Sequence, residues 1–255
     1  MELKGRRALI TGSAKGLGKR TAQLLADAGC DVVVNYVTSR AEAEALAEDL
    51  RGRGVRSAAV QADVADPKQV ERLAEEAERL LGGIDILINN AGPFIRERRL
   101  FADYTPEEII GLVNGNLLGV MLLDRLLLPE MRRRRWGRII HFGFGHAGES
   151  RAWPHRAVYA AAKTALVSFT KTLAVEEAAH GITVNMICPG DIRGANKEKS
   201  IDDVRNEIDP ETHRRPGTGE DVARAILFLC DPKSDFITGN LLDVTGGFDP
   251  IRNTV

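Results

Sequence analysis

Cysteine is scarce in this chain of 255 residues, and charge of one sign is nearly absent in excess. The three cysteines, Cys30, Cys188 and Cys230, are odd in number, far apart and set in apolar runs, which excludes a disulfide framework or a cysteine-based metal knuckle and predicts reduced core thiols. No metal site is expected. A formal net charge of -1 gives no global attraction to nucleic acid or to acidic membranes. The start, MELKGRRALITG, has no apolar stretch of signal-peptide length, and no continuous apolar run approaches a membrane span. A cytoplasmic protein is expected. There is also no Pro/Gly/Ser linker, repeat or low-complexity segment to divide the chain, so residues 1–255 are expected to form one domain.

Short β-rich apolar runs alternate with helical patterns. The predicted strands are ALIT (8–11), DVVVNY (31–36), SAAVQ (57–61), IDILIN (84–89), GRIIHF (137–142), ITVNMI (182–187) and NLLDV (240–244). Between them, AEAEALAEDL (41–50) and PKQVERLAEEAERLL (67–81) place apolar residues at three-four spacing. The alternation predicts an α/β three-layer sandwich with a doubly wound, mostly parallel sheet. Ligands of such sheets bind beyond the carboxyl ends of the strands.

The first of those ends carries TGSAKGLGKR, with Gly12, Gly16 and Gly18 spaced G-x-x-x-G-x-G before a helical stretch. Glycines there permit a tight turn and let a pyrophosphate approach backbone N–H groups at a positive helix end. Lys15 lies inside the loop, and the second strand ends in Asn35 and Tyr36, with Thr38, Ser39 and Arg40 following. An acid at that strand end would hold a ribose 2'-hydroxyl; its absence favours the 2'-phosphate of NADP(H), unless Lys15 and Arg40 are merely solvated surface charges. Asp63, after the third strand, either accepts from an adenine amino group or is only a turn residue, and Val64 beside it is a candidate cofactor contact.

Further along stand Asn89-Asn90-Ala91-Gly92, Asn116 in NGNLLG, Tyr159-Ala160-Ala161-Ala162-Lys163, Pro189-Gly190 and ITGNLLDVTGG (237–247). In this order, and nearly end to end, the chain resembles a short-chain dehydrogenase/reductase, most nearly the bacterial 3-oxoacyl-[acyl-carrier-protein] reductases. The resemblance implies a seven-stranded Rossmann-like subunit, usually a homotetramer, that transfers hydride between a nicotinamide and a carbonyl or alcohol. It makes Tyr159 the catalytic acid, Lys163 its partner and Asn116 the position of a proton relay. It makes Ser13, Leu17, Asn90, Ala91, Gly92, Pro189, Gly190 and Ile192 cofactor contacts beside the glycine-rich loop, with Tyr159 and Lys163 also reaching the nicotinamide ribose. Residues four apart share a helix face, so a Lys163 ammonium can favour tyrosinate and lower the Tyr159 pKa.

The pattern breaks at the fifth strand. The family's serine pair falls on Gly143 and Phe144, so the carbonyl-binding hydroxyl is missing. If alternation continues past the strand, His146 comes to the side of residue 144 and is the expected replacement donor, ahead of Ser150 and His155. After Pro189-Gly190 the chain reads Asp191-Ile192-Arg193-Gly194 where the family commonly has a threonine, and Val175 stands where carrier-protein reductases tend to be basic. Arg132 to Arg135 either attract an acidic carrier protein or complement a helix dipole. The polar segment 194–219 matches the family's substrate loop. The expected activity is NADPH-dependent reduction of a 3-oxoacyl-thioester-like or other small ketone. The alternatives are a catalytically weakened NADP-binding scaffold, or an alcohol or sugar dehydrogenase working oxidatively.

Overall fold

The computed structural model describes residues 3–210, 212–249 and 251. Seven strands form one sheet: β1 (Arg7–Ile10), β2 (Asp31–Tyr36), β3 (Ser57–Gln61), β4 (Ile86–Asn89), β5 (Gly137–Phe142), β6 (Ile182–Pro189) and β7 (Leu241–Val244). Their order is β3-β2-β1-β4-β5-β6-β7, and every pairing is parallel. The expected runs recur with ends shifted by a residue or two, since hydrogen bonding, not apolarity, sets where a strand stops.

Helices cover both faces because successive strand residues point to opposite sides. Ala8, Ile10, Val32, Val34, Ile86 and Ile88 pack with α1 (Gly16–Asp27), α2 (Arg40–Gly52) and α7 (Gly219–Cys230). Leu9, Val33, Leu87 and Ile139 pack on the other side with α3 (Pro67–Leu81), α5 (Gly119–Arg134) and α6 (Ala157–Glu177). Cys30, Cys188 and Cys230 are buried free thiols, and burial pushes the Cys188 and Cys230 thiols up to about 12.

Helix α4 (Pro106–Val113) runs through a π-turn (Asn114–Leu118) directly into α5. The joined helix, Pro106–Arg134, has 29 residues and is apolar enough to span a bilayer by length and composition, which corrects the expectation that no such run exists. Glu107, Glu108, Asn114 and Asn116 interrupt its apolar pattern in the sequence. Here it serves the core: Leu123, Leu127 and Met131 are buried in the cluster that α5 shares with α3.

A buried polar chain ties this helix to the sheet and to α6. Asn89 donates to Asp124 Oδ1 at 2.8 Å, Asp124 Oδ2 meets His141 Nε2 at 2.8 Å, and His141 Nδ1 meets Thr170 Oγ1 at 2.8 Å. The Thr170 hydroxyl donates to Leu166 O, so it accepts from His141 Nδ1–H, and one further proton is shared between His141 Nε2 and Asp124. Removing the carboxylate with Asp124→Ala leaves two buried groups unpaired. The expected loss is about 3 to 5 kcal/mol of unfolding free energy, read from urea titration.

Candidate active site

Two cavities open at the carboxyl ends of the strands and share Asn90 and Gly92. The first, about 600 Å³, has Gly16, Leu17 and Lys15 at one end and Tyr159, Lys163 and Asn116 at the other. The second, about 620 Å³, is lined by Gly12, Asp63, Val64 and Ala91. Together they make an elongated cleft along the strand ends, the shape an extended dinucleotide requires.

The glycine-rich loop is held from behind. Gly12 and Gly16 have φ of +60° and +64°, left-handed backbone that suits glycine. A Cβ at Gly18 would lie 2.7 Å from Asn90 Nδ2 and 2.8 Å from Ser13 Cα, so α1 packs this closely only with glycine there. Ser13 Oγ donates to Ile10 O, and Asn90 Nδ2 donates to Thr11 O and Gly12 O. Asn35 is turned inward: its Oδ1 accepts from Gly12 N–H at 3.0 Å, and its Nδ2 donates to Val60 O and Ala62 O. Tyr36 is buried in the core on the α1 side of the sheet. Ser13, Asn35 and Tyr36, expected as cofactor contacts, thus line neither cavity; Ser13 and Asn35 brace the loop from beneath, and Tyr36 packs in the core. Lys15 does line the cleft, in an exposed ion pair with Glu42 at 2.6 Å. Arg40 is paired with Glu44.

At the other end, Lys163 Nζ donates to Phe142 O at 2.8 Å, leaving two N–H bonds for other partners. Burial brings its pKa down to about 8. Tyr159 lies one turn earlier on α6, with Lys163 Nζ 5.8 Å from its ring centroid. Its hydroxyl is pushed up to about 12, opposite to the lowering expected from a nearby ammonium, because burial dominates, with a smaller push from Cys188. Asn116 sits in the π-turn, where its Nδ2 donates to Pro93 O and Leu112 O while its buried Oδ1 has no partner among the described residues. A Cβ at Gly92 would fall 2.3 Å from that oxygen. Pro189, Gly190 and Ile192 border the same cleft.

His146 is not brought there. It adopts a left-handed conformation (φ 64°), which ends the strand alternation, and its Nδ1 meets Glu149 Oε1 at 2.9 Å. The face beside Phe144 is aromatic instead. Phe144 contacts Trp153 (4.8 Å between centroids) and Tyr159 (6.2 Å), and Phe94 stands edge-on to Tyr159 at 4.9 Å. Phe94, Trp153, Arg156 and Lys197 were missed by sequence reasoning; they lie on loops or at a helix start, where no periodicity marks which way a side chain turns.

The family described as enoyl-(acyl carrier protein) reductase matches residues 12–249. The chain belongs to the short-chain dehydrogenase/reductase family. Among curated relatives, it is 45% identical over 249 residues to YtkK of Bacillus subtilis, provisionally named an oxidoreductase, covering 97% of this chain and 98% of that one. It is 35% identical over 243 residues to the Staphylococcus epidermidis 3-oxoacyl-[acyl-carrier-protein] reductase FabG, covering 94% and 97%. Among solved structures, a Bacillus thuringiensis protein provisionally described as a 3-oxoacyl-reductase superposes with a TM-score of 0.89 at 45% identity, over 96% and 99% of the two chains. A blue fluorescent protein from a metagenomic library, in complex with NADPH, gives 0.84 at 32% identity, over 97% and 99%. Membership of the short-chain dehydrogenase/reductase family makes this chain an NAD(P)-dependent oxidoreductase.

Asn35 supports the loop through both ends of its amide, so Asn35→Asp sets a carboxylate oxygen against two backbone carbonyls. The expected cost is about 2 kcal/mol or more of stability, together with weakened dinucleotide binding, measured by thermal unfolding and by nucleotide titration.

Proposed function

We propose that this protein is an NADPH-dependent carbonyl reductase acting on a small ketone, with Tyr159 as proton donor. The observation that carries the reading is the Tyr159–Lys163 pair at the end of a dinucleotide-shaped cleft, with Lys163 fixed to Phe142 O and two ammonium protons still to place. The cleft fits the cofactor: it runs along the strand ends from the left-handed Gly12 and Gly16 to the buried Asn116 Oδ1, which has no partner among the described residues, a length and polarity suited to a dinucleotide. Bound there, reduced nicotinamide supplies a hydride. Tyr159 then delivers its proton to the carbonyl oxygen, Lys163 orients ribose hydroxyls, and Asn116 Oδ1 anchors a water that returns the proton.

Three observations narrow the reading. A tyrosine pushed up to about 12 stays protonated at neutral pH, which suits an acid in the reductive direction better than a base in the oxidative one. Lys15 at the cleft mouth and the absence of an acid at the end of β2 favour NADPH, the cofactor that the metagenomic neighbour holds. An acyl-carrier partner is disfavoured because all four basic residues at the end of α5 are already engaged: Arg132 with Glu177, Arg133 with Glu130, Arg134 with Asp85, and Arg135 with Ala179 O. Cytoplasmic residence and assembly into a homotetramer or homodimer belong to the same proposal, supported by family membership alone.

The test is NADPH oxidation with a panel of small ketones. Tyr159→Phe should abolish it, and a variant that turns over normally would sink the mechanism. Lys15→Ala should weaken NADPH binding about tenfold while leaving NADH nearly unchanged; equal losses would reject the phosphate assignment. Because the Lys163 ammonium is the working form and is lost as pH rises through about 8, kcat/KM should be flat below that pH and fall above it.

A further inference from the structure

The strand end of β5 cannot present a hydroxyl to the substrate. A Cβ at Gly143 would lie 2.8 Å from Met186 Sδ and 3.1 Å from Cys188 Sγ, so this position has no room for a serine without repacking the core. Position 144 is a buried phenylalanine. Among the described residues lining the cleft, Tyr159 carries the one hydroxyl. Of the other donors near it, the Asn116 amide is engaged with two backbone carbonyls and the Arg156 guanidinium with the carbonyls of Arg96, Glu97 and His155, while the two remaining Lys163 N–H bonds go to ribose hydroxyls in the reductase reading. The Trp153 indole nitrogen has no partner but is shielded from the surface.

A carbonyl reacting here therefore receives a hydrogen bond from Tyr159 and none from the opposite wall. Loss of one oxyanion donor typically costs about 10² to 10³ in rate. What replaces it is an aromatic surface in which Phe94, Phe144 and Trp153 stand 4.9 to 6.2 Å from the Tyr159 ring. Flat conjugated molecules pack on such faces and edges better than flexible acyl chains.

Resting on the reductase reading above, we propose that the site is specialised for aryl 1,2-diketones, whose flat aryl-ketone half suits the aromatic wall and whose second carbonyl activates the first, and that Phe144 sets this choice. A carbonyl bonded to a second carbonyl is more electrophilic, and its developing alkoxide is stabilised inductively by its neighbour, which offsets the missing donor. One C=O becomes CH–OH: the carbon gains the hydride and its two electrons from reduced nicotinamide, which is oxidised, the oxygen gains the Tyr159 proton, and the second carbonyl is unchanged.

The experiment compares 1-phenyl-1,2-propanedione with the acetoacetyl thioester of N-acetylcysteamine. The diketone should be favoured in kcat/KM by about 100-fold, and Phe144→Ser should shrink that gap about tenfold by accelerating the thioester. Phe144→Leu, which removes the ring without adding a donor, should weaken diketone binding several-fold in calorimetric titration and give the thioester no gain. A wild-type protein that reduces the thioester as well as the diketone would overturn the inference and leave the reductase reading standing. So would an unchanged ratio in Phe144→Ser or, if that variant does not fold, unchanged diketone affinity in Phe144→Leu. No NADPH oxidation with either compound, or turnover that survives Tyr159→Phe, would instead overturn the reductase reading itself.

Discussion

The buried bond from Lys163 Nζ to Phe142 O, 2.8 Å long, is the contact on which the site depends. It joins the middle of the sheet to α6 at the point where β5 stops. An ammonium taken out of water needs compensation, and here that comes from the last carbonyl of a strand instead of a carboxylate. A carboxylate would have held the lysine charge more strongly, but it would also have placed a negative group where an anionic cofactor is to lie. With a neutral partner, burial brings the lysine down to about 8, and two of its N–H bonds have no partner among the described residues. The same anchor fixes Tyr159 one turn away.

Beneath that anchor the structure is rigid for a separate reason. His141 precedes Phe142 on β5, and its hydrogen bonds to Asp124 and Thr170 hold the strand against α5 and α6 together. Asn89, at the end of β4, joins the same chain. The two residues of the anchor, Phe142 and Lys163, therefore sit on elements clamped one residue or two turns away. The π-turn adds a second local device: the extra residue lets the Asn116 amide reach both Leu112 O and Pro93 O while presenting its oxygen toward Gly92.

Much of this was legible in the sequence, and the limits are physical. Strand and helix alternation revealed the sheet because burial on both faces imposes continuous apolar runs such as DVVVNY and ITVNMI. Tyr159 and Lys163 were readable because four-residue spacing on a helix fixes a shared face. His146 failed because its reading assumed that strand alternation persists, whereas a left-handed residue there turns the side chain toward Glu149. Asn35 shows another limit: the sequence shows a non-acidic strand end, and only the fold shows its amide engaged with Gly12, Val60 and Ala62. The His141–Asp124 pair was invisible, since its members come from elements with no periodic relation.

The polar segment after Pro189-Gly190 illustrates how charge links two parts of the cleft. Glu198 accepts from Gly16 N–H at 2.8 Å and pairs with Lys19 at 2.7 Å, and these contacts hold its carboxyl below the usual range although burial opposes them. A carboxylate is thus stabilised at the positive end of α1, the kind of position that also attracts phosphate. Ile201 N–H donates to Glu220, which is paired in turn with Arg20 on α1, so the segment is fastened to α1 and α7 at two points. A Cβ at Gly219 would lie 1.9 Å from Lys197 O, and the segment rests directly on the start of α7. Lys197, which lines the cleft, is therefore carried on backbone pinned on both sides. The segment after Pro189-Gly190 is thus tied to the glycine-rich loop and α1 by charged contacts, which displacement of either would strain.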